Sequence, residues 1–168
     1  MKASTTIKVV SAAALLAGAA AASAATANGT LNVSATVNAT CFVDSAGPLN
    51  FSSYNPSLGQ QTGNSSVTVR CTNGTQFDIG LDAGKGTGAT EASRVMASGS
   101  NTLAYSLYQD SALSNVWGNT VGTNTVRDTG IGLGSGKAIT KTVYGKIPDQ
   151  PNAVPGSYTD QVTVTVTY

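Results

Sequence analysis

From Gln161 to Tyr168 valine and threonine alternate without a break, in the order Gln-Val-Thr-Val-Thr-Val-Thr-Tyr. Alternate residues of a β-strand point to opposite faces, so the segment reads as a half-buried strand. Val162, Val164 and Val166 form its apolar face and the threonines its hydroxylated face. A second alternating segment, Leu31-Asn32-Val33-Ser34-Ala35-Thr36-Val37, lies near the other end. Strands at both termini leave two solutions. They pair within one complete sandwich, or they are shared between copies of the chain.

The first residues read as an export leader. Lys2 and Lys8 supply a positive region, and an Ala-, Val- and Leu-rich run extends from Val9 to Ala22. Ala22-Ser23-Ala24 is a small-x-small cleavage site, which predicts a signal peptide over residues 1–24 and export through the Sec pathway to the periplasm. The alternative, a membrane anchor, is disfavoured because the apolar run is short and mostly alanine. Two of the nine basic residues lie in this leader, so the remainder carries seven against eight acidic ones. So neutral a chain has no basic patch for a phosphate backbone, which excludes nucleic acid as a partner.

Both cysteines, Cys41 and Cys71, fall after the leader. Two cysteines in an exported chain admit one intramolecular pairing and are expected as a disulfide. The chain contains no histidine and no CxxC, which removes the usual zinc sets.

Strand-like runs recur between turn signals, at Ser66–Cys71, Gln76–Leu81, Thr102–Gln109, Thr125–Ile131, Ala138–Ile147 and Tyr158–Tyr168. Shorter ones follow Cys41 and cover Pro48–Phe51. Asn73-Gly74 between two of them is a tight-turn signal. Helical periodicity is absent beyond the leader, so the fold class is all-β, a sandwich of about seven strands in one domain.

Catalytic chemistry has little to draw on. Without histidine, Ser-His-Asp and Cys-His arrangements are excluded. Asp78 and Asp82 are the nearest carboxylate pair, but their expected role is solvation of an outer surface. The glycine-rich stretches 84–88 and 130–137 lack the helix that a phosphate loop requires, and read as hairpin loops. No cofactor or metal is implied. Tyr105, Tyr108 and Trp117 are candidates for stacking on a sugar. Parity instead favours Leu103, Tyr105 and Leu107 as core, with Tyr108 outside.

Together these pieces resemble a known family. The segments are Val37-Asn38-Ala39-Thr40-Cys41-Phe42-Val43, Val67-Thr68-Val69-Arg70-Cys71-Thr72, Tyr105-Ser106-Leu107-Tyr108-Gln109-Asp110, Val143-Tyr144-Gly145-Lys146-Ile147-Pro148 and Pro155-Gly156-Ser157-Tyr158-Thr159-Asp160 before the final strand. They look like the spore coat protein U domain shared with archaic (Csu-type) chaperone–usher pilins. The resemblance implies a non-enzymatic pilus or fimbrial subunit that is an immunoglobulin-like sandwich missing one strand. A periplasmic chaperone fills the gap, and the N-terminal strand of the next copy then replaces it at an outer-membrane usher. It further implies a donor arm over residues 25–40 ahead of a domain over 41–168. Leu31, Val33, Ala35 and Val37 are the implied donor residues, and Val162, Val164, Val166 and Tyr168 the edge of the accepting groove. The implied location is the cell surface, with roles in adhesion and biofilm. The alternative is a secreted spore- or cell-coat protein of the same domain, assembled without an usher.

Elementary physics is compatible with that reading. Sixteen extended residues reach roughly 50 Å at about 3.3 Å each, enough to enter a neighbouring subunit. Burying Leu31, Val33 and Val37 at about 1.5–3 kcal/mol apiece yields roughly 5–9 kcal/mol before ordering costs.

Overall fold

The computed structural model describes residues 23–150 and 152–168. The leader through residue 22 lies outside them. Two units are distinguished, one ending at Thr36 and one running from Val37 to Tyr168. Residues 23–40 belong to no strand, and every one from 23 to 39 is exposed. The alternating segment Leu31–Val37, expected as a strand, is therefore unpaired. A strand exists only by hydrogen bonding to a neighbour, and the described residues supply none.

The second unit holds eight strands, β1 (Cys41–Ala46), β2 (Gln61–Cys71), β3 (Gln76–Leu81), β4 (Arg94–Ser98), β5 (Asn101–Tyr108), β6 (Val126–Thr129), β7 (Ile139–Ile147) and β8 (Val164–Thr167). They form a five-stranded sheet in the order β1-β2-β7-β5-β4 and a three-stranded sheet in the order β6-β3-β8. Every named pairing is antiparallel. Between the sheets lies a core that includes Val67, Val69, Phe77, Ile79, Leu81 and Val143. Leu103, Tyr105 and Leu107 join it, as their parity predicts, and Trp117 is wholly buried.

Several expectations are corrected. Asn73-Gly74 does turn the chain, with Thr75 N donating to Thr72 O at 3.1 Å and Gly74 at φ 79°. A positive φ at only the third position belongs to a type II turn. It carries the chain from one sheet to the other instead of closing a hairpin. The glycine-rich stretches 84–88 and 130–137 likewise link strands of different sheets, β3 to β4 and β6 to β7. Pro48–Phe51 is not a strand. β2 starts five residues earlier than its valines suggest, because Gln61–Ser65 pair in continuous register with Val143–Ile147. Pairing there overrides the turn propensity of Gly63, Asn64 and Ser65. β4 escapes sequence reading because Ser93-Arg94-Val95-Met96-Ala97-Ser98 alternates weakly. It is formed by its hairpin with β5, in which Gly99, at φ 59°, opens a two-residue loop. Asp78, expected on a solvated face, is 6% exposed and bonded to Arg127 and Thr125.

Cys41 and Cys71 are joined by a disulfide and face each other directly across β1 and β2. The closed loop spans a sequence separation of 30. Replacing both cysteines by alanine should lower unfolding free energy by about 3–4 kcal/mol. A urea titration of the double variant beside the parent checks this, with the midpoint falling and the slope rising as the unlinked denatured chain expands.

Candidate functional site: an open groove on the inner face of the larger sheet

Strands lie about 4.8 Å apart, so five cover a width of roughly 24 Å and three only about 14 Å. The smaller sheet cannot cover the inner face of the larger one. Roughly 10 Å, about two strand widths, remains. There the protein has a groove of about 1010 Å³, with Val67, Leu103, Tyr105, Leu107, Val143 and Ile147 on its lining.

One wall is the connection from Gly47 to Tyr54. Its ends are fixed. Gly47 N donates to Ser66 O at 2.8 Å, and Tyr54 Oη accepts from Gln150 N at 2.8 Å. Between them Leu49 and Phe51 lie on Gly63 and Gly145, which face each other across β2 and β7. A Cβ on Gly145 would stand 2.8 Å from both Leu49 Cδ1 and Phe51 Cζ. The close approach therefore requires glycine there. Phe51 meets Tyr105 edge-on with ring centroids 6.1 Å apart.

The opposite wall is the approach to β8. Thr159 makes two backbone bonds with Ala97 of β4, at 2.9 and 3.1 Å, so the segment begins on the larger sheet and ends on the smaller. That crossing is why the alternating segment is not one strand over Tyr158–Tyr168. Two carboxylates hold the crossing. Asp160 Oδ1 accepts from Lys85 N and Gln161 N, while its Oδ2 accepts from Tyr105 Oη at 2.7 Å. Asp82 Oδ1 accepts from Gly84 N and Thr163 N, both at 2.9 Å. Burial pushes the Asp82 carboxyl up, but the bonds from Thr163 and Gly84 more than offset this and hold it below the usual carboxylate range. Burial, then the bond to Asp160, drives the Tyr105 phenol far above its ordinary value. It therefore stays a hydrogen-bond donor.

Along β8 the backbone bonds to β3 fall on the threonines. Asp82 N donates to Thr163 O, and Gly80 and Asp78 stand opposite Thr165 and Thr167. In an antiparallel ladder the intervening residues direct their N–H and C=O groups the other way. For Val162, Val164 and Val166 that is the outer edge of the smaller sheet, to which no further strand is hydrogen-bonded among the described residues.

The residues singled out from sequence are thus distributed unevenly. Val162 and Val164 line the groove. Val166 faces Ile79 and packs on the core, and Tyr168, 58% exposed, lies just past β8. In the N-terminal segment Leu31, Val33 and Val37 are 86%, 85% and 87% exposed, and Ala35 is exposed as well. Trp117 is no sugar contact, since it is fully buried with Nε1 donating to Ile79 O at 2.8 Å. Sequence reasoning missed the Gly47–Tyr54 wall and the Asp82 and Asp160 anchors. Only Asp160, polar at the mouth of an apolar strand, carried any local signal.

The Spore Coat Protein U domain model matches residues 27–165. The chain belongs to the spore coat protein U domain family. This is a structural, non-enzymatic family. A curated relative, Protein U of Myxococcus xanthus, is 36% identical over a 179-residue alignment covering 98% of this chain and 97% of the relative. Among solved structures, the fold is similar to the CsuC–CsuE chaperone–tip adhesion subunit pre-assembly complex from archaic chaperone–usher Csu pili of Acinetobacter baumannii. The match has a TM-score of 0.56 at 21% identity, covering 79% of this chain and 40% of that one. The chain thus spans about two fifths of the solved chain. Its fold is the immunoglobulin-like sandwich, with the groove open beside β8.

Proposed function

We propose that this protein is a structural subunit of a surface pilus or fimbria, assembled head to tail by strand addition. The observation that carries the reading is the groove beside an unpaired β8 edge in a chain whose own alternating segment belongs to no sheet. The occupant is the segment 25–40 of a second copy. Leu31, Val33, Ala35 and Val37 point into the groove, and Asn32, Ser34 and Thr36 face out. Backbone bonds to the β8 edge supply affinity, and alternate side chains set the register. A head-to-tail contact of this kind does not close on itself, so it propagates a filament.

The similarity to a chaperone–subunit complex supports a periplasmic chaperone as the groove's temporary occupant, with the Tyr168 carboxylate held by its basic residues. An outer-membrane usher then exchanges chaperone for donor strand. The subunit is exported to the periplasm, loses residues 1–24 on the way, and ends on the cell surface, where adhesion and biofilm are its roles. Among the described residues no helix is long and apolar enough to cross a membrane.

Mature chain lacking residues 25–38, released from its chaperone, should stay unpolymerised and bind a peptide of that segment, gaining thermal stability with the logarithm of peptide concentration above its Kd. A released subunit that ignores the peptide would count decisively against strand addition. The family's name favours a second reading, a coat protein assembled without an usher. Deposition that continues after deletion of the usher gene would select it.

A further inference from the structure

The outer face of the five-stranded sheet carries a feature unrelated to the groove. A depression of about 220 Å³ is lined by Thr62, Asn64, Ser111, Leu113 and Tyr144 over the backbone of Gly63 and Gly145. Tyr144 stands opposite Asn64 on one side and opposite Tyr108 on the other, so two phenol rings and an amide form one row across β5, β7 and β2. We propose that this depression binds a single neutral pyranose ring.

Four observations lead there. The first is size. At about 30 Å³ per water the space holds roughly seven, the volume of one substituted ring and less than a drug-sized ligand needs. The second is a cluster of hydrogen-bonding side chains that no other protein group engages. The side chains of Thr62, Asn64, Ser111 and Tyr144 make no hydrogen bond among the described residues, whereas Thr68 and Thr140, elsewhere on this face, bond each other at 3.0 Å. The third is charge. The lining contains no carboxylate, ammonium or guanidinium. Asp110, at the start of the neighbouring loop, turns its carboxylate onto Ser114 and Asn115. A ligand with many hydroxyls fits this lining, and the nearest cation, Lys146 opposite Thr62, stands at its edge.

The fourth is rigidity. The 110–115 loop forms the wall, and it is cross-tied by the Asp110 bonds and by Leu113 N donating to Asp110 O at 3.1 Å. Leu113 is held at φ 56°, a conformation leucine rarely adopts. The loop thus presents an apolar side chain to the depression that Tyr144 also lines, in a fixed position. An aromatic face and a leucine take the apolar C–H surface of a sugar, while Asn64, Thr62 and Ser111 reach its hydroxyls. A preorganised wall loses little entropy on binding.

Saturation-transfer NMR tests this on the mature protein in its assembled or chaperone-bound form. The probes are methyl β-glucopyranoside, methyl α-mannopyranoside and methyl N-acetylglucosaminide. At least one should give a saturable signal strongest on one ring face, with a Kd of millimolar order. Tyr144→Ala should weaken it by about tenfold or more, and Tyr144→Phe, which keeps the ring, by only about threefold. Ser111→Trp should block the site from a loop outside any strand, and so without disturbing the fold. No saturable signal from any of the three probes overturns the proposal. So does binding that survives both Tyr144→Ala and Ser111→Trp. Neither result bears on strand addition, which uses the opposite face of the sheet.

Discussion

A chain carrying Val33→Asp together with Val37→Asp should be exported, oxidised and chaperone-bound at normal levels, yet form no fibres. The two positions share one parity of the alternating segment, and both side chains are more than four-fifths exposed in the isolated chain. Nothing in the folded subunit depends on them. In the proposed joint each valine contributes about 1.5–3 kcal/mol of burial, which the double variant loses. It also asks an apolar groove to accept two carboxylates, at a cost of several kcal/mol more. A penalty of about 6 kcal/mol or greater is some four decades in affinity at every joint. Electron microscopy of cells, with immunoblots of periplasmic and surface fractions, checks the expectation. Asn32→Asp with Thr36→Asp, on the other parity, should leave fibres in place because those side chains face solvent. Fibres from the first pair, or their loss from the second, would remove the register assignment.

Whether a feature could be read from the sequence follows from how local its cause is. The β8 alternation, the Leu103–Leu107 core face and the single possible disulfide each follow from residue type and spacing, and the structure places them accordingly. The alternating Leu31–Val37 segment was equally visible, but alternation encodes a strand's two faces and not its partner. That is why an internally paired sandwich and a shared strand look alike in the sequence. The length of β2 was hidden because Gln61–Ser65 become strand only through β7, some eighty residues away. The groove walls were hidden for the same reason. Gly63 and Gly145 are unremarkable until their register pairing puts both beneath Leu49 and Phe51.

Arg94 is the extreme case of a residue with no sequence signal. It sits among Glu91, Ala92, Ser93 and Val95 like any solvated charge, yet it has no exposed surface. Among the described residues no carboxylate bonds to it. Its guanidinium donates instead to four main-chain carbonyls, with Nε to Asp82 O at 2.8 Å and Nη1 to Glu91 O at 2.7 Å. Nη2 reaches Leu81 O at 2.9 Å and Trp117 O at 2.8 Å. Burial draws its pKa down, but arginine has enough in reserve to stay charged. One side chain thus ends β3, anchors β4 and fixes the loop that buries Trp117.

Arg94→Ala should therefore be the most damaging point substitution in the domain. Each buried carbonyl left without a donor costs about 1–3 kcal/mol. Even with partial rehydration the sum, about 4 kcal/mol or more, is a large share of the 5–15 kcal/mol available to a domain. Lysine should not rescue it, since one ammonium with three donors cannot span four diverging carbonyls. Urea unfolding of arm-peptide-bound subunit is the measurement, with Trp117→Phe as the reference that removes one bond, to Ile79 O, and little volume. If Arg94→Ala unfolds no earlier than that reference, the arginine is not the tie described. The effect should also reach the groove. The Asp82 carbonyl takes Arg94 Nε while the Asp82 carboxylate takes Thr163 N, so the arginine and the entry to β8 meet at one residue. Loosening Asp82 frees the strand edge against which the donor is proposed to pair, and peptide affinity should fall together with stability.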